Sequence, residues 1–205
     1  MPSRRALLLS ALAASAATSR LASAQGTAGS STNIGVTVLQ LQNRTIEVNG
    51  KAATVFGIRQ PDGTDGIVTD IGKPFRVRVE NRISEPSLIH WHGLAPPWQQ
   101  DGVPDISAPA IPPGGSADYD FPLRFGGTFW MHSHQGLQEQ TLMAAPLIIR
   151  DARDRPALRE IVIVLADFSF TSPEEIFANL RKGEARSAAA TSTATSVPLS
   201  TPRSM

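Results

Sequence analysis

Between residues 35 and 151 the sequence runs in short stretches whose polarity changes at every second residue, separated by turn-forming clusters. Phe75-Arg76-Val77-Arg78-Val79-Glu80 alternates apolar and polar side chains, as a strand buried on one face requires. Residues 37–41, 45–48 and 53–56 read similarly, and later candidate strands are 88–92, 117–123, 128–132, 146–149 and 161–165. Asn49-Gly50, Pro61-Asp62-Gly63 and Pro112-Pro113-Gly114-Gly115 punctuate them. Many short strands with regular turns predict an all-β fold, an antiparallel sandwich or barrel. One short helix is expected after it. Ser172-Pro173-Glu174-Glu175 offers an N-cap, a proline at the first helical position and a capping glutamate, and Ile176 with Leu180 makes an apolar face.

Composition supports one such domain with appendages. Of 205 residues, 41% are apolar and 18% charged, enough for a sizeable core and against wholesale disorder. There is no cysteine, which excludes disulfides, thiolate metal sites and cysteine nucleophiles. The formal charge is +1. Residues 1–24 hold three of the 19 basic residues and none of the 18 acidic ones, so the remainder carries 16 against 18, a net charge of −2. No basic patch remains to suggest nucleic acid.

The two ends differ from the middle. Arg4-Arg5, an apolar run over residues 6–17, and Ala22-Ser23-Ala24 make a leader with a small-residue cleavage signal. The run is too short and too rich in Ala and Ser to span a bilayer, which needs about 20 apolar residues. The paired arginines resemble a bacterial twin-arginine signal; an ordinary secretory signal is the other reading. Either places the mature chain outside the cytoplasm, in the periplasm or secreted, with no membrane span. Residues 185–205 include sixteen Ala, Ser, Thr or Pro and no acid or aromatic residue, the composition of a disordered tail or linker. The expected organisation is therefore a signal peptide at 1–24, a flexible segment at 25–34 and a β domain at 35–152. A strand and helix follow at 153–183, and a disordered tail at 184–205.

The chemistry lies in four residues. The only histidines form two His-x-His pairs, His90-Trp91-His92 and His132-Ser133-His134. On a strand, residues i and i+2 project from one face, so each pair presents two imidazoles side by side. Such a pattern points to a metal, and imidazole suits copper, zinc, iron and nickel alike. The alternative is four histidines engaged in core hydrogen bonds. Trp91 and Trp130, beside these residues, are read as core packing on the opposite strand face.

His90-Trp91-His92-Gly93-Leu94, Asp101-Gly102-Val103-Pro104, Ile111-Pro112-Pro113-Gly114-Gly115 and Gly127-Thr128-Phe129-Trp130-Met131-His132-Ser133-His134 occur in that order. Together they resemble the first cupredoxin domain of the laccase-like multicopper oxidases. The resemblance implies a cupredoxin-like Greek-key β-sandwich. It also implies a three-copper cluster between the first and last domains of the family, with four histidines from each side. By it, His90 matches a type 2 copper ligand, and His92, His132 and His134 match type 3 ligands. Dioxygen and an electron donor are the implied reactants. Asp101 matches an acidic residue that delivers protons to reduced oxygen, although Asp-Gly is also a common turn dipeptide.

Half of that machinery is not found in these residues. The family's type 1 copper needs a cysteine, and its remaining cluster ligands need histidines beyond His134. Residues 161–182 look like the approach to a second cupredoxin domain. A truncated or frameshifted product is one expectation, and a short protein whose partner domain or chain supplies the missing ligands is the other. Functionally, the N-terminal part of an exported multicopper oxidase stands beside a non-catalytic periplasmic copper-binding module. A cupin is disfavoured, since no glutamate follows His92 closely and the second site is again a pair. The four methionines are scattered, so no methionine-rich segment points to cuprous ion as the donor.

Overall fold

Alternation and turns produce ten strands and one helix in the computed structural model, which describes residues 35–151, 160–182 and the backbone of 193–195. The leader, the 25–34 segment, residues 152–159 and the rest of the C-terminal stretch lie outside the described residues. The strands are β1 (Thr37–Val48), β2 (Lys51–Arg59), β3 (Ile67–Asp70), β4 (Phe75–Asn81), β5 (Ile89–His92), β6 (Ser116–Phe121), β7 (Gly127–Ser133), β8 (Ala144–Arg150), β9 (Val164–Ala166) and β10 (Thr193–Thr195). The helix is α1 (Pro173–Arg181). Two four-stranded sheets, ordered β2-β1-β4-β6 and β3-β8-β7-β5, face one another. The expected all-β sandwich is present. A separate ribbon pairs β9 with β10.

Strand pairing departs from the expectation in three respects. The ladders β1–β4 and β3–β8 are parallel, not antiparallel, because the chain crosses between sheets and returns beside earlier strands. β1 is one strand of 12 residues where two were expected. Its first residues pair with β4 and its later ones with β2, and the unbroken β2 ladder from Gln40 to Val48 carries it through Gln42–Arg44. β3, unmarked by alternation, forms by pairing with β8. Asn49 (φ 51°) and Gly50 (φ 76°) make the tight β1–β2 turn, a conformation that Asn-Gly adopts readily.

The core lies between the sheets. Leu39, Leu41, Ile58, Val77 and Val79 enter from one sheet, and Ile89, Trp91, Met131, Leu147 and Ile149 from the other. Trp91 is fully buried and meets Phe75, Tyr119 and Phe121 of the opposite sheet at ring-centroid distances of 5.3, 5.0 and 5.8 Å, edge-on in each case. On the outside, Arg76 pairs with Asp120 and Arg78 with Asp118, across the antiparallel β4–β6 ladder. These exposed pairs reinforce register more than stability. The helix starts as expected, with the Ser172 hydroxyl accepting from the Glu175 N–H at 3.2 Å. None of its residues is buried: of the expected apolar face, Ile176 is half-buried and Leu180 exposed. No helix among the described residues is long and apolar enough to cross a membrane.

Tyr119 reports on this core. Burial raises its phenol pKa to about 12, against an ordinary value of 10.0, with a hydrogen bond to the Ile89 backbone opposing the rise. It is the only tyrosine in the sequence, so phenolate absorbance follows this group alone. We expect a native midpoint near 12 and an unfolded one near 10. Because the folded value is the higher, the group's contribution to stability is fully present below pH 10. It then falls by about 1.4 kcal/mol per unit as pH rises toward 12. A native midpoint near 10 would contradict the buried placement.

Candidate metal centre

Strand stereochemistry builds the site. Along β5, Ile89 and Trp91 point into the core, which turns His90 and His92 to the other face. β7 runs antiparallel beside it, and the register places His90 opposite His132 and His92 opposite Trp130. His134 follows directly after the strand. Both His-x-His pairs therefore meet on one face. The His90 and His134 rings stack at 4.4 Å and 16°, and His132 lies 5.5, 5.4 and 4.9 Å from the rings of His90, His92 and His134.

Backbone carbonyls orient the rings. His90 Nδ1 lies 2.7 Å from the Asp101 carbonyl oxygen, which can only accept, so Nδ1 carries the proton and Nε2 keeps its lone pair. His132 Nδ1 faces two acceptors, the Ser133 carbonyl at 3.3 Å and Glu139 Oε2 at 3.0 Å. Its proton is thereby assigned to Nδ1 as well. His132 Nε2 stands 3.2 Å from His92 Nδ1. Two imidazole nitrogens, each about 2.0–2.1 Å from one ion and at angles of roughly 90–109°, would be about 2.8–3.4 Å apart. The separation is compatible with one shared ion once the His92 proton moves to Nε2.

Among the described residues, the donor atoms of His90, His132 and His134 also lie within 4.8 Å of one another. Burial lowers the His132 pKa from the usual imidazole value, with the Glu139 carboxylate opposing. His134 is lowered too, first by burial and then by the nearby His90. Both rings are thus favoured in the neutral form that binds metals. All-imidazole ligation of this kind suits copper, zinc, iron and nickel alike.

Two placements were not read correctly, or not at all, from sequence. Trp130 does not lie on the opposite face. It precedes His132 by two residues, so the strand period puts it on the histidine face, where its indole stacks on His132 at 4.1 Å and 17° and tilts over His92 at 4.9 Å. That period was available in the sequence. Trp91 does pack in the core as expected. Glu139 had no local signal, since it reaches His132 only after the chain turns back beyond His134. Gln138 buttresses that turn: its Oε1 accepts from Ser87 Oγ and Ser133 Oγ at 2.7 and 2.8 Å, and its Nε2 donates to the Pro86 carbonyl at 2.9 Å.

Asp101 combines a turn position with proximity to the site. It closes the 3-10 turn Trp98–Gln100, and its Oδ1 lies 3.4 Å from His90 Nδ1. Gly102 permits this approach. A Cβ there would stand 1.9 Å from the Ile89 carbonyl oxygen and 2.8 Å from the His90 nitrogen, at φ +73°. Gly102→Ala is therefore expected to destabilise the domain by more than about 2 kcal/mol, from overpacking plus left-handed strain. Thermal unfolding measures it; a melting temperature within a degree of the parent would contradict the close docking of this loop on β5.

Comparison with known proteins extends the reading. Residues 38–154 match the family model described as multicopper oxidase. A copper resistance protein A homolog of Pseudomonas syringae pv. tomato is 40% identical over 113 residues, 54% of this chain and 19% of that protein. Copper resistance protein A of Escherichia coli is 39% identical over 114 residues, 54% and 19% respectively. Laccase-2 of Botryotinia fuckeliana is 30% identical over 158 residues, 74% of this chain and 27% of that protein. Among solved structures, the laccase from Botrytis aclada superposes with a TM-score of 0.60 at 31% identity, over 73% of this chain and 29% of that one. The chain thus spans about a fifth of the length of the copper resistance proteins it matches.

Proposed function

Because the chain belongs to the multicopper oxidase family, we propose that it forms one side of a copper cluster that reduces dioxygen to water while oxidising phenolic or metal-ion donors. The observation that carries this reading is the convergence of four imidazoles from two neighbouring strands, with His92 Nδ1 and His132 Nε2 poised 3.2 Å apart. His90 is assigned as the type 2 ligand, and His92, His132 and His134 as type 3 ligands. The 3.2 Å separation supports His92 and His132 sharing one ion. Copper, when bound, would supply the single-electron chemistry of dioxygen reduction.

The chain's own residues prepare that site. The Asp101 carbonyl holds the His90 proton on Nδ1, burial favours the neutral forms of His132 and His134, and Trp130 covers one side of His132. The partly exposed Asp101 carboxylate is assigned the transfer of protons between solvent and the cluster edge through Oδ1. With no cysteine and no fifth histidine among the 205 residues, the type 1 copper and the remaining imidazoles are assigned to a partner domain or chain. A copper-binding module without turnover is the second reading, since these residues hold no thiolate through which electrons could enter. Residues 1–24 are assigned to export, leaving the mature chain in the periplasm or outside the cell.

Copper titration of the mature chain tests the assignment. The parent is expected to take up copper, and His90→Ala combined with His132→Ala to lose at least about tenfold in affinity; equal uptake would sink the reading. No intense blue copper–thiolate band should appear in the loaded protein. Asp101→Asn separates the two roles of that residue. Because the carbonyl, not the carboxylate, makes the 2.7 Å contact with His90, copper uptake should stay within about twofold of the parent. A larger loss would make the carboxylate part of the metal site.

A further inference from the structure

The turn that follows His134 returns a carboxylate to the histidine cluster, and nothing in the assignment above uses it. Glu139 Oε2 lies 3.0 Å from His132 Nδ1, while the opposite ring nitrogen, Nε2, faces His92. We propose that Glu139 is a positioning residue: together with the Ser133 carbonyl it holds the Nδ1–H tautomer of His132 and so keeps Nε2 as the metal-binding atom. The proposal rests on the metal centre assigned above and adds a residue to it.

Three observations carry it. The first is stereochemical. A neutral imidazole has one donor and one acceptor nitrogen, and a carboxylate can only accept, so their contact selects the tautomer. The second is rigidity. Glu139 follows Gln138, a buried side chain held by Ser87, Ser133 and the Pro86 carbonyl. The Gln138 carbonyl accepts from the N–H groups of Thr141 and Met143, and the Glu139 carbonyl accepts from Leu142. The carboxylate therefore projects from a fixed turn.

The third is confinement of its target. The His132 ring is almost fully buried, stacked on Trp130 at 4.1 Å, and bounded by His90 and His134. Stacking holds the plane of the ring but cannot distinguish its two nitrogens. That discrimination falls to the acceptors at Nδ1. Of these, the Ser133 carbonyl makes the hydrogen bond at 3.3 Å, and the Glu139 carboxylate adds a negative charge in ion-pair contact at 3.0 Å. Carboxylates that accept from a ligating histidine in this way orient it and raise its basicity, and their removal typically costs about 10–100-fold in metal affinity.

The experiment compares the parent with Glu139→Ala and Glu139→Gln. The imidazole nitrogen shifts of His132 are read first by 15N NMR in the metal-free mature chain, and copper affinity is measured second. The parent is expected to show the Nδ1–H tautomer. Glu139→Ala should populate the Nε2–H form and bind copper about 10–100-fold more weakly. Glu139→Gln, whose carbonyl oxygen still accepts, should restore most of both. A parent in the Nε2–H form would overturn the proposal, and so would a Glu139→Ala protein with parental tautomer populations, whatever its affinity. The tautomer is read without metal, so failure of the parent to take up copper defeats the metal-centre reading separately. The main-chain bonds of the turn survive both substitutions, and matched thermal unfolding of the three proteins verifies that the fold is retained.

Discussion

Burial of Trp91 between the two sheets is the interaction on which the site depends. An aromatic side chain of this size removes about 150–250 Å² from water, worth roughly 4–6 kcal/mol at about 25 cal/mol per Å². Its indole N–H has no hydrogen-bond partner, a cost of about 1–3 kcal/mol. The apolar gain is the larger, and the edge-on contacts with Phe75, Tyr119 and Phe121 add to it. With Trp91 committed to the core, the two-residue period of β5 leaves His90 and His92 no choice of face. A slip of one residue would bury two imidazoles and expose the indole. Core packing and metal-site geometry are therefore one constraint.

Much of the orientation of the histidines comes from main-chain atoms. The carbonyls of Asp101 and Ser133 receive Nδ1 protons from His90 and His132, and neither depends on side-chain identity at those positions. What does depend on identity is the backbone path that brings them there, above all Gly102, which lets the loop after β5 lie against Ile89 and His90. Desolvation acts in the same direction as these contacts. It disfavours charged imidazolium at His132 and His134, so mutual repulsion within the cluster is limited.

The relation to multicopper oxidases gives this face its meaning. The matched region, residues 38–154, coincides with the sandwich and contains all four histidines. The nitrogen donors gathered here are the four imidazoles, and no cysteine thiolate occurs among the 205 residues.

Local stereochemistry determined what was legible in the sequence. Polarity alternation identified most strands, Asn49-Gly50 marked a turn, and Ser172-Pro173 marked the start of the helix. Two His-x-His pairs specified two patches of paired imidazoles, because a strand repeats every two residues wherever it lies. The same period puts Trp130 on the histidine face, against the reading that set it with Trp91 in the core. Only the tertiary structure decided the rest. It set His90 opposite His132, joined residues 42 apart in sequence through the β5–β7 register, made β1 continuous and two ladders parallel, and carried Glu139 back to His132. Those outcomes rest on burial between sheets, on ladder bonds to distant strands and on the path of a turn. None of these is a property of a residue and its near neighbours, so no local pattern could have encoded them.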